Sequence, residues 1–153
     1  LTGRRIALCL EPALAEALSG FLSSLGVEIL GPLYRCRTRA GVEARLMAPE
    51  ARESIRYVDP SARSIADCLD EAKRDGPIDL FIGSSWDRES AARAGVAFLE
   101  LGFPSLHYRP LTAAPFLGSK GALCLVERIV EQLLVQRFER GLHDTSPDPG
   151  LER

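Results

Sequence analysis

Short apolar runs alternate along this chain with amphipathic stretches, and glycine or Gly-Pro stands at most of the boundaries. Two of the runs are apolar throughout, as strands buried on both faces require. Together these observations predict an α/β fold, with a parallel five-stranded sheet covered on both faces and joined by right-handed crossovers. The natural strand order is 3-2-1-4-5, the three-layer Rossmann-like arrangement. A length of 153 residues and an apolar content of 46% suit one such domain.

The elements follow in order. "RRIALCL" (4–10) is the first strand. The next stretch sets Leu14, Ala17, Leu18, Phe21, Leu22 and Leu25 at helical spacing, with Pro12 in the first turn and Gly26 as the left-handed stop. "VEIL" (27–30) is the second strand. Residues 31–54 carry Arg35, Arg37, Arg39 and Arg45 and predict at most a short helix over 42–53, interrupted by Pro49. "IRYV" (55–58) is the third strand. A helix follows it, with Ala62, Ile65, Ala66, Leu69 and Ala72 on one face and Gly76-Pro77 beyond its end.

"IDLFIG" (78–83) is the fourth strand. Ser84 or Ser85 then caps a short helix that has Asp87 and Glu89 in its first turn and stops at Gly95. "VAFLEL" (96–101) is the fifth. A long helix over 119–140 is expected to turn Leu123, Val126, Ile129, Val130, Leu133 and Leu134 inward. One domain thus spans 1–140, and the Pro- and Gly-rich residues 141–153 form a disordered tail.

Composition narrows the function. A formal net charge of −2 offers no electrostatic footprint for nucleic acid or an anionic membrane. No apolar run approaches the ~18 residues of a bilayer span. Cys9, Cys36, Cys68 and Cys124 are dispersed, without CxxC or CxH spacing, so no metal or cluster site is expected from this chain alone. The expectation is three buried thiols and one loop thiol in a reducing, cytoplasmic setting.

Ligands on open parallel sheets bind outside the carboxyl ends of the strands. Here those ends are "LEP" (10–12), "GSSWD" (83–87) and the long loop "GFPSLHYRPLTAAPFLG" (102–118). The turn after strand one lacks GxGxxG, and Glu11 would repel a phosphate, so a dinucleotide site is not encoded. "GSKGAL" (118–123) lacks the phosphate-loop spacing and suits tight turning and helix initiation. Ser84 and Ser85 sit on a strand-to-helix turn, but without the GxSxG elbow capping outweighs nucleophilic use. Trp86 suits packing better than stacking on a ligand, and His107 alone in a loop suits surface hydrogen bonding better than metal ligation. The candidate pocket or interface edge is therefore Ser84, Ser85 and Trp86 facing His107, Tyr108 and Arg109. Phe103, Leu106, Leu111 and Phe116 are expected to anchor the loop to the core. No catalytic residue can be named.

Three blocks carry a family resemblance. "GRRIALCLEPALAEALSGFLSSLGVEIL" resembles a strand, helix and "LGxE" segment of the nitrogenase component 1 family. "DLFIGSSWDRESAARAGVAFLELGFP" is similar to its "DxxIGNS" strand, helix and "GFP". "PFLGSKGALCLVERIVEQLL" is similar to its "PxxG" turn and long helix, so the resemblance runs from about Gly3 to Leu134. The family includes the nitrogenase iron–molybdenum, vanadium and iron-only proteins, their assembly scaffolds, and the light-independent protochlorophyllide and chlorophyllide reductases.

The resemblance implies the last of three Rossmann-like domains of a longer oxidoreductase subunit. It implies an iron–sulfur cluster or metallocluster in the parent assembly, held by cysteines of other domains and a homologous partner subunit. An ATP-dependent iron protein would feed it electrons, and the isolated domain would be inactive. In cofactor-bearing relatives a histidine ligand lies ten residues before the glycine of the "PxxG" turn. Counting back from Gly118 reaches Tyr108, with His107 one further, so the count neither assigns nor excludes His107. The loop length resembles that of the other subunit, which has no such ligand, and "PLTAAPFLG" resembles a chlorophyllide reductase segment. A reading from a different class stays open: a small-molecule or protein-binding module without redox chemistry.

Overall fold

The computed structural model describes residues 1–35, 56–58, 62–107, 115 and 118–143. Two compact units divide the chain, Leu1–Ala113 and Ala114–Arg153. The expected helix over 42–53, Cys36, Tyr108, Arg109, Leu111, Phe116 and the tail beyond 143 lie outside the described residues.

The first unit is an α/β fold on a parallel sheet, as the alternation predicts. Strand β1 (Arg5–Leu10) leads through helix α1 (Pro12–Ser24) to β2 (Glu28–Arg35). Then come β3 (Arg56–Val58), α2 (Ala62–Lys73), β4 (Leu80–Gly83), a 3-10 turn (Ser85–Asp87), α3 (Arg88–Arg93) and β5 (Phe98–Glu100). The sheet runs in the order β3-β2-β1-β4-β5, and all its pairings are parallel.

Why these residues form these elements is plain from burial. Ile6 to Leu10 are each at most 1% exposed, so the central strand must be apolar on both faces. Because side chains alternate across a strand, Ala7 and Cys9 point to one face, with Phe81 of β4. There they cluster with Ile65 and Leu69 of α2 and Ala91 of α3. Ile6, Leu8, Leu10, Leu80 and Ile82 are left for the opposite face. Helix α1, which packs against β1 and β2, turns Ala15, Leu18 and Leu22 inward. The expected stripe is thus rotated: Leu14 and Phe21 are half-buried, while Ala17 and Leu25 are exposed.

Pro12 occupies the first turn of α1, where its missing N–H leaves no gap. Gly26 ends the helix at φ +78°, a left-handed conformation that only glycine adopts without strain. Of the cysteines, Cys9 is buried, whereas Cys68 and Cys124 are only half-buried, short of the full burial expected. No helix among the described residues is long and apolar enough to cross a membrane.

The second unit holds helix α4 (Gly118–His143), which begins at a glycine with φ +68° and runs three residues past the expected end at 140. The inward assignment fails for three of its residues. Leu123, Val130 and Leu134 are exposed, as are Val135 and Phe138. Apolar residues cover more of this helix's circumference than a single stripe, so spacing alone does not pick the covered side.

Candidate functional site at the carboxyl edge of the sheet

The carboxyl ends of β4 and β5 are joined by short-range backbone bonds that leave little room. Leu101 N and Gly102 N both donate to Gly83 O, at 2.9 and 3.1 Å. A β-carbon on Gly102 would lie 2.8 Å from Leu10 Cδ2 at the end of β1, so the chain leaves β5 pressed against the ends of two other strands. Gly83 is similarly confined: a β-carbon there would meet Asp87 Oδ2 at 2.8 Å.

Asp87 is completely buried. Its Oδ2 accepts the Ser84 N–H at 2.7 Å and the Ser84 hydroxyl at 2.8 Å, which closes the turn as a capping box. Ser84 is therefore occupied in building the turn, in line with its capping role. Ser85 bonds instead to the loop after β5. Its N–H donates to Pro104 O at 2.9 Å, and its hydroxyl oxygen accepts the Leu106 N–H at 2.6 Å. These bonds bring the turn after β4 and the loop after β5 together. Trp86, next in the chain, is 46% exposed and so is not the packing residue expected.

The residue that organises the loop is Glu100, the last of β5. Its side chain is only 3% exposed, yet it is well supplied with donors. Oε1 accepts the Ser105 hydroxyl at 2.8 Å and the His107 N–H at 3.0 Å. Oε2 lies 3.1 Å from His107 Nδ1 and 3.5 Å from Arg88 Nη2. The Arg88 guanidinium also sits 5.3 Å over the Phe98 ring, which holds its charge near the carboxylate. A buried carboxylate needs such donors to remain charged inside a protein. His107 itself is half-exposed.

Three of the expected edge residues, Ser84, Ser85 and His107, thus lie on the turn after β4 and the loop after β5, two segments that the Ser85 bonds join, and Trp86 stands on the same turn. Sequence reading missed Glu100, which was absorbed into the apolar strand "VAFLEL". A lone acid at the end of an apolar strand, with Ser105 and His107 a few residues on, is the signal that was there. The anchoring expectation for Phe103 and Leu106 also fails: they are 69% and 53% exposed. Residues 102–107 are held instead by their backbone, through Ser85 and Glu100, and by the buried Pro104. Among the described residues no three His, Cys, Asp or Glu side chains converge as a metal-ligand group.

The profile of the Nitrogenase component 1 type Oxidoreductase family matches residues 1–134. The chain is 29% identical over 143 residues to a nitrogenase molybdenum-iron protein beta chain from Methanothermobacter marburgensis, covering 91% of this chain and 30% of that protein. It is 28% identical over the same length to the beta chain from Methanococcus maripaludis. It thus spans about a third of the length of these relatives. A solved nitrogenase Cp1 structure superposes on all of the chain and 32% of its own, with a TM-score of 0.67 and 24% identity, which supports the fold. With a family profile spanning most of its length, the chain belongs to the nitrogenase component 1 type oxidoreductases.

Proposed function

We propose that the chain serves as one Rossmann-like domain of a cytoplasmic, nitrogenase component 1-like oxidoreductase subunit. In that role it shapes one wall of a metallocluster or substrate pocket and part of a subunit interface. Its partners are the other domains of the same subunit, a homologous partner subunit and an ATP-dependent iron protein that delivers low-potential electrons. The cluster takes its ligands from elsewhere in that assembly, and this chain contributes shape and hydrogen bonding. The observation that carries the reading is the carboxyl edge. Buried Asp87 and Glu100 fix two adjoining loops, while His107, Trp86, Phe103 and Leu106 are left accessible. A polar framework that exposes apolar side chains and one imidazole suits a wall that something else completes.

The test is to tag the chain in its native host and purify what comes with it. The expected result is an iron-containing complex with a homologous subunit, which oxidises dithionite only with ATP and an iron protein. Recovery of a colourless species without iron or a homologous partner would overturn the redox reading and favour a binding module.

A further inference from the structure

We propose that Glu100 is a positioning residue that locks His107 in the tautomer with hydrogen on Nδ1, so that Nε2 presents a lone pair at the sheet's carboxyl edge. The argument starts from the carboxylate. Glu100 faces the Arg88 guanidinium, the Ser105 hydroxyl and the His107 backbone N–H, all of them donors. Such surroundings hold it as an anion, which can only accept. The Nδ1 nitrogen 3.1 Å from Oε2 must then bring the hydrogen. Because Oε1 also accepts the backbone N–H of the same histidine, backbone and ring are fixed by one side chain.

The consequence lies at the other ring nitrogen. A neutral imidazole with hydrogen on Nδ1 carries its lone pair on Nε2. In its neutral form His107 therefore offers an acceptor to an N–H or O–H group on a ligand. Trp86, Phe103 and Leu106, exposed on the same two loops, supply apolar surface for that ligand's body. The small-molecule class is thus an apolar ligand bearing a hydrogen-bond donor. This use of Nε2 rests on the proposed pocket-wall role; the tautomer itself does not.

The experiment is a long-range proton–nitrogen correlation spectrum of the 15N-labelled 153-residue chain carrying His143→Gln, which leaves His107 as its sole imidazole. At a pH where the ring is neutral, the form protonated on Nδ1 should predominate about tenfold. In Glu100→Gln the carboxamide can present an N–H to Nδ1, and the population should swing toward the form protonated on Nε2 by a similar factor. A ring already protonated on Nε2 in the Glu100 protein, or an unchanged ratio in Glu100→Gln, would overturn the proposal. The first measurement decides even where the variant does not fold. Since the spectrum is read on the chain alone, its failure is distinct from failure of the redox reading, which the purification decides.

Discussion

The two rims of the sheet both use acidic side chains to tie strands together, but in opposite settings. At the amino rim, Asp79 bonds the Arg5 N–H at 2.8 Å and Arg4 Nη1 at 3.1 Å, while Glu28 lies 3.3 Å from Arg5 Nε. The acids there are 20% and 60% exposed and stay in contact with water. At the carboxyl rim, Asp87 and Glu100 are almost entirely buried. Surface ion pairs contribute little and tolerate loss, whereas a buried carboxylate costs free energy to desolvate and holds its partners to one geometry. The amino rim is a seam; the carboxyl rim is a fixed shape.

That contrast can be broken by experiment, and the sheet interior sets the scale. Phe81→Ala removes a fully buried ring between α2, α3 and the sheet, and should cost about 3–5 kcal/mol in urea unfolding. Asp87→Ala strips the acceptor from the Ser84 N–H and hydroxyl, and a loss of about 2–3 kcal/mol is expected by the same measurement. A cost below that of the amino-rim variant would erase the difference between the rims. Gly83→Ala should destabilise by about 1–3 kcal/mol, since its methyl group must displace the Asp87 carboxylate. Arg4→Ala at the amino rim should change stability by less than about 1 kcal/mol, and salt should shrink the effect further. His107→Ala comes last: a change within about 1 kcal/mol in melting experiments, with a clear loss of turnover in the purified assembly. Unfolding by His107→Ala with turnover intact would make the loop purely structural.

The parallel sheet was legible because strands buried on both faces must be apolar, and Ile6 to Leu10 and Leu80 to Ile82 are so throughout. The edge was legible as a place, because "GSSWD" and "GFP" mark where two strands end. Its organisation was not. Glu100 reads as an interruption of strand five until Ser105 and His107 are seen folding back on it. Phe103 and Leu106 read as anchors because an apolar loop residue is ordinarily assumed to be buried. The Ser85 and Glu100 bonds fix the backbone without them. The stripe on α4 was ambiguous for a simpler reason: its apolar residues extend around too much of the helix.

Glu100 gathers Ser105 and His107 from no more than seven positions away, so the first part of the loop closes on its own strand. Closure over so short a span needs little help from the sequence that follows. Glu100 thus works as a local clasp, setting the imidazole from within seven positions of its own place at the end of the strand.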